Sequence, residues 1–389
     1  HEKPFAGVNG SGKHNNWSLS TDKGQNLFDP GSTPSENGQF MLFLAAVIKG
    51  VDEYQDLLRL SVASAGNDHR LGGNEAPPAI VSVYLGDELE AVIDALVNNK
   101  PYSGRGKTLM RLGVDTFPEL PKDTTDRNRT SPFAFTGNKF EFRMLGSTFS
   151  IAGPNIMINT IVADELRQFA DELEKASDFN AAMHELVVRT IREHRRILFN
   201  GNNYSEEWTR EAKKRGLLNL RSCADALPYF AAKKNIELFE RNKVFTEREV
   251  RSRMEIMLEN YCKVLTIECL TMIEMGRKDI YPAVERYIVE LCAAAKSKKE
   301  AGLSDETERD LLSRLSADND AMYKKAKEIE NLLAEAKGIG DAERTARFFA
   351  DNIIPVMQEM RAFSDDMELN TAKDLWPFPT YGDILFSVS

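Results

Sequence analysis

The feature that most constrains this chain is a change of hydrophobic rhythm near Gly153-Pro154-Asn155. Before it, apolar residues fall in short runs broken by Gly and Pro. After it they recur at helical spacing through long segments. Short strands followed by a long series of helices predict an α+β fold rather than a repeating β-α alternation. The 389 residues suffice for a large core and two structural units. The expected division is 1–165, strand-bearing, and 166–389, helical with an aromatic carboxyl-terminal tail.

Within the first part the clearest element is a hairpin. Phe133-Ala-Phe135 and Phe140-Glu141-Phe142-Arg143 flank Gly137-Asn138, a turn signal. Side chains alternate across a strand, so Phe140 and Phe142 share one face while Glu141 and Arg143 share the other. Two positions along a strand span about 6.6 Å. That fits a carboxylate on a metal beside a guanidinium on the phosphate the metal holds. The plainer alternative is an exposed ion pair.

The first stretch, from His1 to Ser18, contains Gly7, Gly10 and Gly12. Such a loop lets backbone N–H groups approach and cradle an anion. Lys13 adds a cation, and His14 is a candidate metal ligand. Gly7-x-x-x-x-Gly12-Lys13 fits the Walker A spacing, but His14 stands where Ser or Thr must reach Mg²⁺. No apolar strand precedes Gly7, and no apolar run ending in Asp follows as its partner. A third segment, Asn67 to Pro78, sets His69 and Arg70 before Gly72-Gly73 and Glu75 after them, ahead of Pro77-Pro78. By itself it reads as a solvated loop.

Further along, Gln39–Arg59 reads as a core helix, Ala79–Tyr84 as a strand and Gly86–Asn98 as a helix. Helices are expected from about Ile156 to Leu173 and over Asn180–Phe199, Glu206–Arg215 and Pro228–Glu240. Thr246-x-x-Glu249 is a capping box opening a long helix that Gly276 should close. Asp279–Ala295, Ser304–Lys337 and Asp341–Phe363 follow, the last with a kink or restart at Pro355. His184 and His194 are too far apart for metal-ligand spacing and read as packing or surface residues. The basic cluster Arg192 to Arg196 reads as a solvated or subunit-contact face. The tail, Leu375 to Phe386, is aromatic and Pro-stiffened, as in segments that dock onto a partner surface.

A net charge of −10 argues against general nucleic-acid binding. No run of about 18 apolar residues is present to span a membrane, and no signal-peptide pattern is seen. Cys223, Cys262, Cys269 and Cys292 form no Cys-x-x-Cys pair. Reduced, packed thiols are expected, as suits a cytoplasmic protein.

Taken together, the motifs in 1–20, 64–78 and 127–145 and the final tail resemble the glutamine synthetases, specifically their type III branch. The resemblance runs over nearly the whole chain. It implies a curved antiparallel sheet with helices, part of that family's catalytic domain, followed by the type III helical elaboration. It also implies ATP-dependent joining of ammonia to glutamate through γ-glutamyl phosphate, with Mg²⁺ or Mn²⁺. By the same resemblance His14 and Glu141 are ligands of the metal on the ATP phosphates. Glu75, Arg129 and Arg143 are the catalytic residues. Asn9, Gly10 and Arg70 meet the glutamate, and Ser18 and Lys139 meet the nucleotide. The loop from Arg70 to Glu75 is one residue shorter than in the commoner bacterial type, and Ala134 stands where that type has a phosphate-binding arginine. The family forms homo-oligomers, double-ringed dodecamers. Its small amino-terminal domain and further metal-site glutamates have no match in 1–389, so this chain is expected to be an incomplete, inactive part of such an enzyme. The rival readings are a silent helical assembly module and a P-loop-like nucleotide hydrolase.

Overall fold

The computed structural model describes residues 12–71, 78–100, 102, 109–110, 120–121 and 130–386. It has two compact units, 1–254 and 255–389.

The first unit holds a four-stranded sheet, with β1 (Gly12–Trp17), β2 (Val83–Tyr84), β5 (Phe133–Phe135) and β6 (Phe140–Gly146) in the order β1-β6-β5-β2. A separate two-stranded ribbon pairs β3 (Leu109–Met110) with β4 (Leu120–Pro121). The expected hairpin is β5–β6, antiparallel, with Phe133 opposite Phe142 and Phe135 opposite Phe140. Gly137 takes a φ of +89° in its turn, a region that favours glycine. β2 joins β5 in parallel, so the sheet is mixed. Only Val83 and Tyr84 of the expected 79–84 strand pair within it. The segment also bonds to later chain: Leu220 N–H donates to the Ala79 carbonyl, and Phe199 N–H to that of Val83.

The alternation of β6 produces the core. Phe133, Phe140 and Phe142 are fully buried. Phe133 and Phe140 stack with centroids 5.0 Å apart, and Phe28 meets Phe140 edge-on at 5.2 Å. Helix α1 (Gly38–Glu53) is capped by Asn37, whose side chain accepts from Phe40 N–H at 3.0 Å. The helix breaks at Tyr54 and resumes as α2 (Gln55–Leu60), followed by α3 (Ala65–Asp68) and α4 (Asp87–Val97). Then come α5 (Ala152–Leu173), α6 (Phe179–His194), α7 (Glu206–Lys214), α8 (Cys223–Ala226) and α9 (Lys233–Arg241).

These helices belong to the same compact unit as the sheet, and buried charges explain why. Asp164 of α5 is fully buried and accepts two bonds from Arg241, both at 2.7 Å, and one from Asn242 at 2.9 Å. Asp56 of α2, also fully buried, accepts from Lys234 and Asn235, each at 3.0 Å. Such pairs hold only if both sides pack together. The change of rhythm near 153 therefore marks a change of secondary structure, whereas the compact units divide between Met254 and Glu255.

The basic cluster is solvated, as expected, but it also makes internal ion pairs. Arg196 Nε and His194 Nδ1 each lie 2.8 Å from the buried Asp52 of α1. Arg195 pairs with Asp94 of α4, and Arg192 donates to the Val97 carbonyl at 3.2 Å. The cluster fastens α6 and the turn after it to α1 and α4. Its partners lie about a hundred residues or more away in sequence, so the pattern gave no sign of them.

Helix α10 (Glu247–Met275) begins at the Thr246 capping box in the first unit, has most of its length in the second, and does not stop at Gly276. A π-helical turn over Gly276–Ile280 carries it into α11 (Tyr281–Glu300). A Cβ on Gly276 would lie 2.6 Å from the Met360 methyl, so this glycine serves close packing rather than termination. Helix α12 (Glu306–Ala336) buries Leu315, Met322 and Ile329. It packs with α11 and with α14 (Ile354–Asn370). A second π-helical turn, Phe349–Ile353, joins α13 (Ala342–Phe348) to α14, with Pro355 in the first turn of α14. The tail buries Trp376 and ends in α15 (Tyr381–Leu385), with Phe386 83% exposed.

Cys223 and Cys269 are buried and Cys262 half-buried, all unpaired. Burial pushes the Cys262 thiol up to about 11 and the Cys269 thiol up to about 12, so both stay protonated. Cys292 is exposed rather than packed. Among the described residues no helix is long and apolar enough to cross a membrane.

Candidate active site

The candidate site is the face of the sheet opposite the phenylalanine layer. On β1, Asn15 and Trp17 are buried, whereas Gly12, His14 and Asn16 face outward. The buried pair is read by α5: Asn15 Nδ2 donates to Asn155 Oδ1 and Trp17 Nε1 to Asn159 Oδ1, each at 2.8 Å. Asn155 and Asn159 are four residues apart and so lie on one side of their helix. They fix the inner edge of β1 and leave His14 on the open face.

Glu141 and Arg143 face the same side from β6. Arg143 Nη2 and Nε lie 2.9 Å and 3.2 Å from Glu141 Oε2, and His14 Nδ1 lies 3.6 Å from that same oxygen. The Glu141 and Arg143 side chains are 11% and 5% exposed, so this is a buried pair, whereas His14 is 56% exposed. An open imidazole thus sits beside a carboxylate already held in place by a guanidinium.

The strand ladder is irregular here. Lys13 lies opposite Leu145 and Asn15 opposite Phe142, so His14 alone faces Arg143 and Met144. Arg70 lies directly behind this bulge. Its Nη2 donates to the Arg143 carbonyl at 3.2 Å, and its Nη1 to the Met144 carbonyl at 3.1 Å and to Asn67 Oδ1 at 3.2 Å. Ser18 lies at the other end of β1. Its hydroxyl is 2.9 Å from Asn26 Oδ1 and 3.2 Å from the Asn138 carbonyl, in the turn that also carries Lys139. Lys13, central to the Walker A spacing, sits inside β1 and donates to the Phe149 carbonyl at 2.6 Å.

The described site residues His14, Ser18, Arg70, Lys139, Glu141 and Arg143 therefore all belong to the sheet or its immediate backing. Asn9, Gly10, Glu75 and Arg129 lie outside the described residues. Asn26, Asn67, Asn155 and Asn159 were not singled out from the sequence, because a lone asparagine has no spacing to betray it. Among the described residues no cluster of three or more His, Cys, Asp or Glu could hold a metal ion. His14 and Glu141 contribute a nitrogen and an oxygen, a donor set suited to a divalent ion. Their 3.6 Å separation lets both reach one ion if other ligands complete it.

Residues 182–299 match the family model described as the glutamine synthetase C-terminal domain. The chain is 44% identical, over 99% of its length, to a type-3 glutamine synthetase of Dictyostelium discoideum. It is 45% and 37% identical, over its whole length, to glutamine synthetases of Butyrivibrio fibrisolvens and Bacteroides fragilis. The chain spans about half the length of the curated relatives it matches, 54%, 56% and 55% respectively. The α+β chain, with its mixed sheet and large helical region, is thus similar along its whole length to glutamine synthetases, one of them of type 3, and carries a match to that family's C-terminal domain.

Proposed function

We propose that the protein to which these residues belong joins ammonia to glutamate at the expense of ATP. The γ-phosphoryl group passes to the side-chain carboxylate of glutamate and ADP leaves. Ammonia then attacks the acyl carbon of γ-glutamyl phosphate, releasing inorganic phosphate and, after loss of a proton, glutamine. The observation that carries this reading is the convergence of an exposed His14 with the buried Glu141–Arg143 pair on one sheet face. Phosphoryl transfer to a carboxylate gathers many negative oxygens, and the protein's task is to position and neutralise them.

In this reading His14 and Glu141 hold Mg²⁺ or Mn²⁺, with further ligands from outside the described residues. A divalent cation held there would neutralise phosphate oxygens. Arg143 and Arg129 stabilise the transferring phosphoryl group. Glu75 shields the intermediate and takes the proton from ammonium, Asn9, Gly10 and Arg70 hold glutamate, and Ser18 and Lys139 meet the nucleotide. The curated relatives bear the name glutamine synthetase, which supports glutamate, ammonia and ATP as substrates. We further assign 1–165 to the catalytic domain and 166–389 to the helical elaboration, place the protein in the cytoplasm and take the working form to be a dodecamer. Among the described residues His14 and Glu141 are the two candidate ligands, and residues 1–389 alone are expected to be inactive.

The deciding measurement is phosphate release with ATP and Mg²⁺, adding glutamate and ammonia singly and together. Full-length protein should need both, and Glu141→Ala or Arg143→Ala should lower the rate at least about a hundredfold. Near-normal rates in either variant would remove those residues from the mechanism. Release without glutamate, lost on Lys13→Ala, would restore the P-loop reading, which the strand position of Lys13 disfavours. Silence under all conditions would favour an assembly module.

A further inference from the structure

The bulge opposite His14 has a second consequence. Where two residues of one strand face a single residue of its neighbour, the ladder is interrupted and backbone groups need other partners. Here the carbonyls of Arg143 and Met144 are taken by side chains. Met144 O accepts from Asn67 Nδ2 at 2.9 Å and from Arg70 Nη1 at 3.1 Å, and Arg143 O accepts from Arg70 Nη2 at 3.2 Å. Asn67 is fully buried, its Nδ2 also donates to the Val62 carbonyl at 2.8 Å, and its Oδ1 accepts from Arg70. Its neighbour Asp68 is anchored on the helical side, accepting from Arg59 at 2.9 Å and from Cys223 N–H at 2.6 Å.

We propose that Asn67 is a positioning residue for His14, Glu141 and Arg143. Together with Arg70 it clasps the two bulge carbonyls and so fixes the twist that aims these three side chains. The inference rests on the reading of the site above, but the clasp itself can be tested apart from it. Gly12 supplies an independent handle. A Cβ there would lie 2.4 Å from Arg70 Nη2, so a larger residue at this exposed strand position would push the guanidinium off its present place against the bulge.

The test compares Asn67→Ala and Gly12→Ala with the unaltered full-length protein. Three quantities are measured: the Mn²⁺ dissociation constant by electron paramagnetic resonance, kcat and the KM for ATP, and amide hydrogen exchange over residues 141–146. Loss of a residue that orients metal ligands typically costs 10–100-fold in affinity or activity. Both variants should weaken Mn²⁺ binding and lower kcat by about 10-fold or more, with the KM for ATP within about threefold. Combining them should add little, since both release the same clasp. Mn²⁺ affinity and kcat within about twofold of the parent in both variants would overturn the proposal. If Asn67→Ala does not fold, Gly12→Ala carries the same decision. If the parent itself shows no glutamate-dependent turnover, the activity reading fails. The clasp then stands on at least about tenfold faster exchange of the 141–146 amides in either variant, and unchanged exchange would overturn it.

Discussion

The two units place their charges differently. The first buries Asp52, Asp56, Arg59, Arg70, Glu141, Arg143, Asp164 and Glu165. In the second, among the described residues, the buried polar side chains are Asn319 and Thr371, and ion pairs such as Arg361–Asp365 lie on the surface. Helix packing alone satisfies the second unit. In the first, the sheet and five long or short helices after it are fixed in register by charges that must find their partners. A buried pair adds little net stability over an apolar substitute, but breaking one leaves an expensive lone charge.

That contrast can be broken first at Arg241. Arg241→Met leaves the fully buried Asp164 with only weaker partners. It should cost about 3–5 kcal/mol, seen as an early transition of the first unit in chemical unfolding. A loss below about 1 kcal/mol would mean that the pair only fills space.

Asp164 and its neighbour Glu165 sharpen the comparison. Burial pushes Asp164 upward, but hydrogen bonds from Arg241, Asn242 and Arg167 outweigh it and hold the carboxyl well below the usual range. Glu165 has Lys49 as its ion partner, one carboxylate oxygen makes no hydrogen bond, and burial lifts it to about 7. Because the folded value is raised above the ordinary 4.5, the associated stability is complete at low pH and is lost as pH rises through about 7. The term is on the order of 3 kcal/mol. Glu165→Gln should flatten the fall in stability between about pH 4.5 and 7. An unchanged pH slope would show that Glu165 is ionised throughout.

The smallest effect is expected at the surface of the second unit. Arg361→Ala should leave the unfolding midpoint unmoved within error, because its partner Asp365 is more than half exposed. A clear drop would mean that the bundle depends on its surface charges after all.

How much of this was legible in the sequence follows from the range of each interaction. The β5–β6 hairpin and the outward pairing of Glu141 with Arg143 were legible because strand alternation is local. The Thr246 capping box was legible for the same reason. Gly276 was misread because a glycine after an apolar helix usually ends it. Its actual reason, the Met360 methyl, lies on another helix. The basic cluster at 192–196, the bulge opposite His14 and the Asn67 clasp all depend on contacts between distant segments. No periodicity records these.

The long reach of those charges has a consequence during synthesis. Lys234 meets Asp56 across 178 residues, and Arg241 meets Tyr54 across 187. At about 5–20 residues per second a ribosome needs roughly 10–35 s to cover such a span. For that time α1 and α2 emerge with Asp56 lacking Lys234 and Asn235, unable to bury it at acceptable cost. The nascent front half therefore carries its own brake on premature collapse, released only when the helices up to Arg241 have left the exit tunnel.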